Sequence, residues 1–159
     1  MTYMTEAPRP DQPAAHGDPA GGFSPMQRRL RNAGGRSLVF QGEELAMAMS
    51  YTPDLPYWFE INLYRATDGS FPVAIKQFFQ SEDKKDIARA WSAQTVDEAI
   101  SVIEQFDPGH DVPVPAGLMA AGMSAAEMEA VAMDLMAQVD HARFHYRSLV
   151  GEFLHALEA

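Results

Sequence analysis

The chain has no cysteine in its 159 residues. That removes disulfide frameworks, thiol nucleophiles and cysteine-ligated metals, so any metal site must be built from histidine and carboxylate side chains. Long apolar runs are missing too. No stretch approaches the roughly 18 apolar residues needed to span a bilayer, and the opening MTYMTEAPRPDQPAAHGD lacks the apolar block of a signal peptide. The expectation is a cytoplasmic protein with no membrane contact. Enzyme signatures are equally scarce. There is no phosphate-binding glycine loop, no Gly-x-Ser-x-Gly and no dinucleotide fingerprint, and Ser24 lies where nothing orients a base toward it. No catalytic residue and no cofactor are assigned, and an unrecognised enzyme or small-ligand-binding protein is kept only as an alternative.

Positive charge is also in short supply. Lys and Arg number 12 against 22 Asp and Glu, for a net charge of -10. Residues 1–36 carry five arginines against three acids, residues 37–110 carry twelve acids against five cations, and residues 111–159 carry seven against two. An acidic surface repels phosphate backbones, so nucleic acid is disfavoured as a partner outside the Arg-containing N-terminal segment.

What is present begins with a composition shift. Residues 1–36 read as a disordered Pro/Gly-rich tail ending in a short basic segment, QRRLRNAGGR, expected to be a turn of helix or a hinge stopped by Gly34 and Gly35. Residues 37–159 read as a single α+β domain. Within it, 37–107 form an antiparallel meander of about five strands with one packed helix, 108–123 a Pro/Gly linker, and 124–158 a long amphipathic helix or helical pair. The first strands are expected at SLVFQ and LAMAMSYT, separated by a turn at GEE.

The hairpin YWFEINLYRATDGSFPVAIKQFF can be given a register from the sequence. A three-residue loop, Thr67-Asp68-Gly69 with Gly69 left-handed, pairs Leu63 with Val73, Ile61 with Ile75 and Glu60 with Lys76, which separates apolar from mixed faces. A two-residue turn would set Ile61 against Lys76. The chosen register sends Tyr57, Phe59, Ile61, Leu63, Phe71, Val73, Ile75 and Phe79 to the core. Trp58, Glu60, Asn62, Tyr64, Ala74, Lys76 and Phe78 fall on a half-aromatic second face, expected to lie beneath the chain's own helix or a partner. Trp58, Tyr64, Lys76 and Phe78, with Arg89 and Trp91 on the next strand, also make an alternative single-stranded nucleic-acid platform.

Two helix starts are marked by capping boxes, Thr95 with Glu98 and Ser124 with Glu127. After the second, Met128, Val131, Leu135, Val139, Ala142, Tyr146, Leu149, Phe153 and Leu157 recur at helical spacing, while Ala132, Met136, Val150 and Leu154 widen the stripe. Unbroken, such a helix is about 50 Å long, more than a small meander covers. It is expected either to fold back or to bury its surplus face against another copy. The leading function is therefore a non-enzymatic assembly or interaction module, a homodimer or a docked protein partner, with Val139, Tyr146, Leu149 and Phe153 on the interaction surface. His141 and His145 stand one helical turn apart and are weak candidates for a metal, with no metal assigned, because the spacing compels no third ligand.

Overall fold

The computed structural model describes residues 26–119 and 122–158. The expected tail over residues 1–25 lies outside them. Five strands run as a continuous antiparallel meander in the order β1 (Met26–Leu30), β2 (Leu38–Met49), β3 (Tyr57–Ala66), β4 (Phe71–Phe79) and β5 (Ile87–Ala93). Helix α1 (Val96–Gln105) and the 34-residue helix α2 (Ala125–Glu158) follow, with 3-10 turns at Pro108–Asp111 and Ala116–Met119 between them. The class is α+β. Among the described residues no helix is long and apolar enough to cross a membrane.

The central hairpin adopts the register read from the sequence: Leu63 pairs Val73, Ile61 pairs Ile75, Glu60 pairs Lys76 and Trp58 pairs Phe78. Gly69 supplies the left-handed residue of the loop, at φ +88°, and its N–H donates to the Ala66 carbonyl. One face of the hairpin, carrying Phe59, Ile61, Leu63, Val73 and Ile75, packs against Ala99 and Ile103 of α1 and against Ala142, Tyr146, Leu149 and Phe153 of α2. Both helices therefore lie on the same side. Their starts are set by the two capping boxes, in which Thr95 Oγ1 accepts from Glu98 N–H and Ser124 Oγ from Glu127 N–H. The Tyr146 hydroxyl, buried with that core, donates to the Ile103 carbonyl and ties α2 to α1.

Three expectations require correction. The basic segment opens as a strand up to Leu30 rather than as a helical turn, because Arg28 and Leu30 alternate inward while Met26 through Leu30 pair with Gly42 through Leu38, and a turn with Gly34 at φ +77° follows. The two strands expected around GEE are one strand, β2, with a bulge between Glu44 and Ala46. The extra residue, Leu45, shifts the alternation by one, so the apolar phase breaks in sequence where the backbone does not. Gly42 reads as a turn residue but is required by close packing instead, since a Cβ there would lie 2.3 Å from the Arg65 carbonyl oxygen.

The third correction concerns what covers the second face. No helix does. The sheet curls into a half-barrel whose inner face holds Tyr64, Ala74 and Ala90. These are buried by Leu30, together with Leu38 and Phe40 of β2. The chain after β1 then closes the curl on β5: Ala33 N–H donates to the Ala88 carbonyl at 2.7 Å, and Ala90 N–H to Asn32 Oδ1 at 3.3 Å. The basic segment at the end of the expected tail, from Met26 to Ala33, thus lines part of the inner face of the sheet.

Candidate interaction surfaces

Cross-strand pairing decides which sequence-selected residues meet. Val73 pairs Trp91 and Ile75 pairs Arg89, so both belong to the helix-covered face, where the Trp91 ring lies 5.7 Å from Phe106. They do not join Trp58, Lys76 and Phe78. Tyr64 is also withdrawn, buried under β1 with the Arg28 guanidinium 5.1 Å above its ring. Burial, then the negative field of Glu44, pushes the Tyr64 phenol up to about 12. Beside it, Asn62 donates to Glu44 while its own carbonyl oxygen is buried without a partner.

What remains on the inner face is smaller than the expected platform. Trp58 and Phe78 stack at 5.4 Å with 23° between their planes, and Tyr51 meets the edge of Trp58. Lys76 is held by Glu60 at 3.4 Å. Past the β2 bulge, Met47 and Met49 extend this rim and are roughly half exposed. A neighbouring groove of about 530 Å³ is lined by Arg29, Arg31, Lys76, Phe78 and Asp86 among others. Two of its three cations come from the segment around β1, which residue patterning did not place near the hairpin.

The C-terminal helix divides into two halves. From Ala142 onward, Ala142, Tyr146, Leu149 and Phe153 are buried against the sheet, and Val139 is half-buried against Gly109. Tyr146, Leu149 and Phe153 are therefore core residues, not the exposed interaction surface expected of them. From Ala125 to His141, by contrast, no residue is buried, although apart from Glu127, Glu129, Asp134, Gln138, Asp140 and His141 every one is apolar. Met133 and Met136 are 64% and 66% exposed, and Phe144 projects beyond them. The helix does not break or fold back.

Two Arg–Asp clasps fix α2 and the linker to the sheet. Arg143 donates from Nε and Nη2 to the two Asp107 carboxylate oxygens at 2.9 and 2.7 Å, and Arg89 of β5 binds Asp111 with two nitrogens. Asp107 also accepts from Gly109 N–H at 2.9 Å. The Arg143 guanidinium, helped by that amide, outweighs burial and holds the Asp107 carboxyl at about 2. Gly109 has no room for a side chain, because a Cβ would meet Val139 at 2.8 Å.

His141 and His145 meet where the first half of α2 passes the end of β3. The Tyr57 hydroxyl lies 2.5 Å from His141 Nδ1, and the two Nε2 atoms are 3.0 Å apart. Burial, then the neighbouring His141, pulls the His145 imidazole below its ordinary value. Alongside lies a cavity of about 420 Å³ whose lining includes Tyr57, Gln77, Phe79, Lys84, Val112 and His141. No family model matches the chain, and neither a curated protein nor a solved structure matches it.

Proposed function

We propose that the protein is a non-enzymatic assembly module that pairs with a second copy of itself through the first half of α2. One observation carries this reading: a continuous helix whose segment from Ala125 to Val139 is mostly apolar yet fully buries none of its residues, with only Val131, Ala132, Leu135 and Val139 half-buried. A helix of that character is stable in water only when something lies against it. The capping box at Ser124 and Glu127 fixes where the helix starts, and the Arg143–Asp107 clasp fixes where it leaves the sheet. The segment is thus fixed at its start and, through Arg143, shortly beyond its end. Its charged residues, Glu127, Glu129 and Asp134, and Asp140 just after it, are all acidic. A parallel pairing stacks like charges, whereas an antiparallel crossing centred near Ala137 sets Arg147 of one copy level with Glu127 of the other.

Light scattering during size-exclusion chromatography tests the reading. At micromolar concentration the expected mass is that of two chains, not the 17.5 kDa of one. Met128→Glu and Met136→Glu alter positions already exposed in the single chain, so both variants should keep the native circular dichroism while shifting to monomer. A wild-type protein that stays monomeric throughout defeats the proposal.

A further inference from the structure

The geometry points to a metal site on His141 and His145 for a divalent transition ion that prefers right-angled coordination, copper(II) or nickel(II). Four properties of a workable site are present. The ligands are of the right kind, because imidazole nitrogen suits copper, nickel and zinc. The spacing selects among them: with the two Nε2 atoms 3.0 Å apart, an ion about 2.1 Å from each sees them at about 90°, whereas a tetrahedral zinc centre would need them about 3.4 Å apart. The outer shell is built: with the His141 hydrogen on Nδ1, the Tyr57 oxygen 2.5 Å away accepts it and leaves the Nε2 lone pair for an ion that replaces the hydrogen bond between the two Nε2 atoms. Access is open, because His141 is exposed and lines the 420 Å³ cavity.

Tyr57 fixes the site from outside the helix. Its ring stands nearly perpendicular to both imidazoles, with centroids 5.8 and 6.2 Å away. It comes from the first residue of β3, held by pairing to Phe79. An isolated helix with histidines four apart leaves both rings free to rotate; here one ring is held by the sheet. Among the described residues no third His, Asp or Glu joins the pair. The remaining coordination positions are therefore left to water or to a small anion entering from the cavity.

Titration of the full chain with copper(II), read by calorimetry and by electron paramagnetic resonance, tests the site. The expected result is one tight equivalent per chain with a dissociation constant of about 1 μM or lower and a tetragonal spectrum split by two nitrogens. His141→Ala and His145→Ala should each weaken that equivalent at least a hundredfold. Tyr57→Phe should keep the stoichiometry and weaken it by about tenfold. Circular dichroism of each variant separates loss of the site from loss of the fold. Tight binding that survives in the doubly substituted His141→Ala, His145→Ala chain, or a spectrum without two nitrogens, overturns the assignment.

Discussion

Asp107 shows how much one carboxylate is asked to do. It accepts from Arg143 of α2 and from the Gly109 amide, and so joins the exit of α1 to the middle of α2. Its pKa in the folded chain, about 2, lies below the ordinary 3.8, so the folded state binds its proton less readily than the unfolded state does. The stabilisation is then fully present above the ordinary value and is lost as pH falls toward 2. Denaturant titrations between pH 5 and 2 should show wild-type stability falling over that window, and Asp107→Asn should be less stable at pH 5 with a flatter decline below it. Equal slopes for the two proteins would mean that another carboxylate controls acid unfolding. The pair was not legible in the sequence: 36 residues separate the partners, and no spacing rule links a residue after one helix to a position inside the next.

Among the elements, legibility followed local periodicity. The β3–β4 hairpin was readable to the residue because turn chemistry and two-fold alternation agreed, and both capping boxes mark where the helices begin. The order of strands before helices was readable for the same reason. β2 misled, because its bulge at Leu45 reverses the alternation and a glycine needed for close packing resembled a turn. β1 misled through composition: three arginines around a single leucine look solvated, and only the curl of the sheet shows Leu30 to be buried. Leu30→Ala should therefore cost about 2 to 3 kcal/mol in equilibrium unfolding, a penalty no mobile leader would exact. A loss below about 0.5 kcal/mol, typical of surface sites, would place β1 outside the cooperative structure. On the interaction surface the same cause applies. Trp58, Tyr64, Lys76 and Phe78 were grouped correctly on one face by register, but the burial of Tyr64 and the face of Trp91 were not readable, because the position of β1 and the pairing of β5 are long-range facts.

At the scale of the molecule, the protein has two unequal sides. Both helices stand on the outer face of the sheet and bury Phe59, Ile61, Ile75 and Phe153 to within 2% of full enclosure. The inner face is lined by a five-residue strand at one end and is left with exposed methionine and aromatic side chains at the other. The closure of the curl on β5 joins parts of the chain more than 50 residues apart through two hydrogen bonds, Ala33 N–H to the Ala88 carbonyl and Ala90 N–H to Asn32 Oδ1. Such a seam opens without disturbing the helix-covered side. Amide hydrogen exchange should report two tiers, with Arg28 to Leu30 and Ala33 losing protection through a local opening well before Ile61 to Leu63, which exchange only on global unfolding. Each such opening would uncover Tyr64, Ala74 and Ala90 to solvent, which would make the half-barrel interior a compartment entered on a faster clock than the core behind it.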